Sequence, residues 1–152
     1  MGCLVLMDLG AELTAQLLES RGDAESLMLD TCTIGDLGTP ATDPDTGVVT
    51  VPLEAVVYPD PSWPAEHQWK AGPCKVKPPQ RANQPTDVGE GTVTVTPGEV
   101  HIPAGGPELR VGQVVEMATS QLSPTLVGDR YRIIGPFDGT FITARRYPVE
   151  FA

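Results

Sequence analysis

Proline and glycine interrupt this chain too often for long regular elements to survive across most of it: sixteen of each fall within 152 residues. Proline lacks a backbone donor and breaks helices and central strands, while glycine ends elements and supplies turns. What such a chain can still build is a set of short strands joined by turns and long loops. Apolar residues at 40% and aromatics at only 5% allow a modest core. The length suits one domain, 1–152. The expected fold class is therefore mainly β, a small antiparallel β-barrel preceded by a helix and carrying a long Pro-rich loop or arm. Segment 1–29 is the helical part, 35–72 the loop or arm, and 73–152 supplies most of the barrel strands.

Local patterns place the elements. Residues 8–20 suit a helix, with Asp8 as N-cap and Leu9, Leu13, Leu17 and Leu18 on one face. Gly22 is expected to end or kink it, so Arg21-Gly22-Asp23 reads as a helix C-terminus and not as an adhesive tripeptide. Asp30 to Ile34 alternates as a strand does. From Gly35 to Gly72 the chain reads as loop, broken by one island, Val48 to Val51 and Leu53 to Tyr58, that suits an extended arm or hairpin. Cys74 to Lys77 is a short strand, 80–91 a polar exposed loop, and Thr92 to Thr96 and Glu99 to Ile102 alternate again. Three further strands are expected near 109–117, 130–136 and 140–147, where Phe141 alternates with Ile142 and Thr143. That makes five or six core strands.

Charge excludes one broad class. The net charge of −10 is concentrated in residues 1–66, which hold twelve acids and a single base, Arg21. Residues 67–152 hold nine bases and eight acids. A nucleic-acid reader needs a basic face to replace phosphate counterions, and the first half of this chain repels phosphate. Arg145-Arg146 is expected to serve a salt bridge to a neighbouring subunit, since acids are plentiful. No segment is long enough and apolar enough for a membrane span, and the reading is a soluble product.

The chemistry of catalysis finds little to stand on. His67 and His101 have no His or Cys at ligand spacing, and no nucleophile elbow, phosphate loop or dinucleotide fingerprint occurs. No catalytic residue, cofactor or metal is expected. Asp43, Asp45 and Glu54 mimic three positions of a calcium loop, but Val48 stands where that loop needs glycine. Thr42-Asp43-Pro44-Asp45-Thr46-Gly47 is better read as a turn, with Pro44 fixing φ and Gly47 closing it. Cys32 and Cys74 sit in strand-like segments and read either as small buried hydrophobes or as a disulfide pair.

The order of three segments carries a resemblance. Glu108-Leu109-Arg110-Val111-Gly112-Gln113-Val114-Val115 is followed by Leu126-Val127-Gly128-Asp129-Arg130-Tyr131-Arg132-Ile133-Ile134 and then Thr140-Phe141-Ile142-Thr143-Ala144-Arg145-Arg146. With Leu29-Asp30-Thr31-Cys32-Thr33-Ile34, the turn at 42–47 and Ala71-Gly72-Pro73-Cys74-Lys75-Val76, this resembles the head-to-tail connector or stopper proteins in the neck of long-tailed phages of actinobacteria. The stretch Val57 to Lys70, with both tryptophans, departs from that pattern as an insertion.

The resemblance implies a structural virion protein, made in the host cytoplasm, and not an enzyme. It implies a homo-oligomeric ring of six or twelve copies, with a portal adaptor on the head side and a tail terminator or tail tube on the other. DNA would pass through the lumen without sequence-specific binding, and no membrane is involved. Alternatives are another neck or tail ring component, such as a terminator or adaptor, or a small β-barrel binding domain. On this reading Asp43, Asp45, Thr46, Gly47, Val49, Val51 and Tyr58 form a gating or inter-subunit arm, anchored by Trp63 and Trp69.

Overall fold

A computed structural model describes residues 2–84, 92–140 and 142–152. The architecture is mainly β. One helix, α1 (Gly2–Ser26), leads into β1 (Asp30–Leu37), β2 (Ala41–Thr42), β3 (Val49–Thr50), β4 (Leu53–Tyr58), β5 (Pro73–Lys77) and β6 (Gln80–Gln84). After these come β7 (Thr92–Thr96), β8 (Gly98–Pro103), β9 (Val114–Thr119), β10 (Arg130–Ile133) and β11 (Ala144–Phe151).

Seven strands form one antiparallel sheet in the order β4-β1-β5-β8-β11-β10-β9. An additional β1–β9 pairing, Thr31↔Thr119 to Gly35↔Val114, brings that order back to its start. Six strands thus follow one another as a closed ring of hydrogen-bonded neighbours, with β4 laid along the outer half of β1. Closure of this kind leaves few unpaired backbone edges, which an aromatic-poor chain with a small core needs.

Alternation along the strands explains the core. On β8, Val100 and Ile102 are buried while Glu99 and His101 face outward, and β10 buries Tyr131 and Ile133 against exposed Arg132. Tyr58, Tyr131 and Tyr147 supply the bulk, joined by Cys32, Ile34, Cys74, Val115, Met117 and Val149. Each buried tyrosine keeps its hydroxyl satisfied. Tyr58 donates to the Pro73 carbonyl at 2.5 Å, Tyr131 to Asp129 at 3.4 Å, and Tyr147 accepts from the Leu109 amide at 3.1 Å. Burial pushes the Tyr131 hydroxyl up to about 12, and Asp129 adds to that shift. A side chain of this size contributes roughly 1.5–3 kcal/mol on burial, so three tyrosines offset much of what the low aromatic content withholds.

Several boundaries differ from the sequence expectation, each for a local reason. The helix starts at Gly2, so Asp8 lies inside it and not at its N-cap, and it runs through Gly22 to Ser26. Glycine inside a helix costs only about 1 kcal/mol relative to alanine, and tertiary ties hold the turns around it. Arg21 Nε donates to the Ile142 carbonyl at 3.0 Å, and Trp69 Nε1 donates to Glu25 at 3.4 Å. Strand β1 continues past Ile34 to Leu37 and β2 falls in the expected loop, while β3 and β4 form the island expected as an arm or hairpin at 48–51 and 53–58.

Residues 80–84, expected as loop, form β6, which pairs with β7 from Gln80↔Thr96 to Gln84↔Thr92; 85–91 lie outside the described residues. Strand β9 begins at Val114 because Arg110 to Gln113 closes a turn, with the Arg110 amide bonded to Gln113 Oε1 at 2.7 Å. Strand β11 begins at Ala144 and tolerates Pro148, whose carbonyl still accepts from the Ile134 amide. Phe141 lies outside the described residues.

Cys32 and Cys74 are both free and buried. Asp30 pairs with Cys74 across β1 and β5, so the two cysteines are diagonal neighbours on the inner face. A hydrogen bond to the Cys74 sulfur, and then burial, hold the Cys32 thiol well above its ordinary range. They act here as small core residues.

Candidate functional site

The residues singled out at 43–51 gather at the tip of a projecting hairpin. Strands β1 and β4 pair from Ile34↔Tyr58 to Leu37↔Leu53, the Gly38 amide donates to the Pro52 carbonyl at 2.7 Å, and β2 pairs with β3 through Ala41↔Thr50 and Thr42↔Val49. The two-stranded ribbon therefore continues beyond the sheet to a turn at 43–48. A register shift between Ile34 and Asp36 bends it at its base, opposite Ala55, which takes a φ of +47°.

Asp43 organises that turn. Its carboxylate accepts from the Asp45 amide at 2.9 Å, its carbonyl accepts from the Gly47 amide at 2.8 Å, and its own amide donates to the Val48 carbonyl at 2.9 Å. The Asp45 amide, and after it the Thr46 hydroxyl, hold the Asp43 carboxyl below the usual carboxylate range. The calcium-loop reading falls away, because the Asp43 carboxylate is turned onto its own backbone. Among the described residues no group of three or more His, Cys, Asp or Glu is placed to hold a metal ion. No helix there is long and apolar enough to cross a membrane.

The tip is wet and apolar at once. Val48 is 55% exposed and Val49 59%, beside exposed Asp43, Asp45 and Thr46. Val51 is half-buried at the base, where its carbonyl accepts from Arg130 Nη1 at 2.6 Å while Arg130 Nε pairs with Glu116 at 2.8 Å. That clamp was not legible in the sequence, since it joins residues on distant strands.

Tyr58 belongs to the core and not to the projecting ribbon: it is fully buried, and burial drives its hydroxyl far up. Trp63 and Trp69 fix the segment that follows. Trp63 meets Tyr58 edge-on at 6.2 Å and stacks on His67 at 4.3 Å, with Trp69 6.1 Å away. Trp69 also lies against Gly105 and bonds Glu25 of α1. The tryptophans thus tie 59–72 and the helix end to the body, and the ribbon itself is held through β1, β4 and Arg130.

A second ribbon went unrecognised in the sequence. Beyond β5, β6 and β7 pair as a separate two-stranded sheet. Strands β1 and β5 are antiparallel, and each is followed in the chain by its own ribbon. Polar Gln80-Arg81-Ala82-Asn83-Gln84 gave no period-2 apolar signal by which to find it.

A family model described as a family of unknown function (DUF6093) matches residues 20–150, and the chain belongs to that family. No curated protein matches it in sequence. Among solved structures, the protein xkdH of the phage-like element PBSX from Bacillus subtilis is similar at 12% identity. That match covers 80% of this chain and 92% of the other, with a TM-score of 0.37.

Proposed function

We propose that this chain is a structural neck protein of a tailed phage, a head-to-tail connector of the stopper type. It closes the portal channel after packaging and presents the surface on which the tail docks. The observation that carries this reading is the hairpin at 38–52, which leaves a closed sheet and offers exposed Val48 and Val49 beside Asp43 and Asp45. A ribbon built this way suits a contact with a neighbouring subunit or the channel better than it suits catalysis. The ordered resemblance along most of the chain supports the same role. The partners are then copies of itself in a ring, an adaptor above and the tail below, with DNA sliding past an acidic surface.

Replacing residues 39–51 by a short glycine turn in the phage that carries the gene should leave a folded body, because Gly38 and Pro52 already meet at 2.7 Å. Electron microscopy is expected to show heads that fill and then leak DNA, beside unattached tails. Infectious, DNA-filled particles from that variant would remove the assignment. Filled, stable heads with tails of altered length would move the protein to the tail side of the neck.

A further inference from the structure

We infer that the hairpin at 38–52 docks on a basic row crossing the outer face of β5, β8 and β11 in a second copy of this chain. The inference rests on the connector reading and names the surface that receives the arm. The register aligns Lys75 with His101 and His101 with Arg146, so the three side chains stand in one row across three strands. Residues directly opposite share a face, and strands lie about 4.8 Å apart, so the row spans roughly 10 Å. The adjacent row, Val76, Val100 and Tyr147, faces the core, which fixes the basic row on the outside. Lys77 stands opposite Glu99 one row further on.

The sheet divides its charges unevenly. Around β9, β10 and β11, Arg130 pairs with Glu116 at 2.8 Å and Arg132 with Glu150 at 3.9 Å, so that face neutralises itself. Lys75, Lys77 and Arg146 are exposed and have no salt-bridge partner among the described residues. The acid beside them, Glu99, bonds His101 at 3.0 Å. Glu99 also feels Lys77 and Arg146, so one acid stands among three cations, and in a chain of net charge −10 that residual positive face calls for an anionic partner.

The chain supplies that partner itself. Residues 30–58 hold Asp30, Asp36, Asp43, Asp45 and Glu54 and no base, and Asp36, Asp43, Asp45 and Glu54 are exposed. Asp36 and Glu54 pair at the base of the ribbon, Asp43 and Asp45 stand at its tip, and the ribbon continues from β1, which runs antiparallel to β5. Such an acidic arm reaching a basic row on the next copy is a heterologous contact, the kind that builds rings.

The test is charge exchange, read by sedimentation velocity of the full chain at low salt. Wild-type chains should self-associate, and high salt should reverse it as the Debye length shrinks to ~3 Å near 1 M. Reversing the arm (Asp43→Lys, Asp45→Lys) or the row (Lys75→Glu, Lys77→Glu, Arg146→Glu) should each weaken association about tenfold or more. Mixing the two reversed chains should restore it. If the row reversal disturbs folding by circular dichroism, Lys75→Gln, Lys77→Gln and Arg146→Gln take its place, with the same weakening expected.

Association unchanged by either reversal, or wild-type chains that remain monomeric at low salt, would overturn the inference. So would a row reversal that abolishes binding to double-stranded DNA and leaves self-association intact, since the row would then serve phosphate. The connector reading is judged separately, by whether arm-shortened phage leak DNA.

Discussion

One added carbon at Gly72 would lie 2.5 Å from the Cys32 carbonyl oxygen, at a backbone φ of +72° that side chains disfavour. The Cys32 amide in turn donates to the Gly72 carbonyl at 2.9 Å, so neither strand can retreat without losing that bond. Gly72→Ala is therefore expected to cost about 2–4 kcal/mol, the sum of left-handed strain and overpacking. Gly112 has a φ of +94° with open space around it, so Gly112→Ala carries the strain alone, about 1–2 kcal/mol. Urea unfolding of the two variants separates the terms, and equal losses would show that the close approach to Cys32 does not matter. The sequence marked Gly72 as a loop end but held no sign of this contact. Cys32 and Cys74 show the same limit, since their fate depended on a strand register that spacing does not encode.

Among the elements, the turn at 43–48 was the most legible, because Asp, Pro and Gly act on their own backbone. Its acid response follows from Asp43, whose carboxyl is held below its ordinary range by the Asp45 amide. A depressed carboxylate contributes order that is complete above the ordinary aspartate range and is lost as pH falls through the folded value. The protection of amides 45–48, taken relative to the intrinsic exchange rate at each pH, should therefore fall on acidification below that range, while the core amides of Val100 and Tyr131 stay protected. Unchanged protection at the tip through that window would show that the carboxylate does not hold the turn. The β6–β7 ribbon was the least legible element. Its pairing comes from the chain's return at β8, which the polar sequence of β6 does not announce. The helix was found but its ends were misplaced; at its C-terminal end it continues through Gly22, where Arg21 and Glu25 are tied to Ile142 and Trp69.

For the molecule as a whole, the helix and the sheet are loosely joined. Leu9, Leu13 and Leu18 are 53%, 54% and 60% exposed, and Arg21 and Glu25 bond the body through Ile142 and Trp69. The family match likewise begins at residue 20. Replacing Leu9, Leu13 and Leu18 by alanine should then change unfolding stability by less than about 1 kcal/mol, as for surface changes that touch no core group. A loss of several kcal/mol in thermal or urea unfolding would mean that this helix face packs on the body after all. The sequence by itself determined the mainly β class, the turn at 43–48 and the strands whose apolar residues alternate, because those follow from the local preferences of proline, glycine and β-branched residues. Only the tertiary structure decided that β1 meets β9 and that Tyr58 lies inside. It also set Lys75, His101 and Arg146 in one row. These depend on register between segments far apart in the chain, and register is fixed by the packing of the whole.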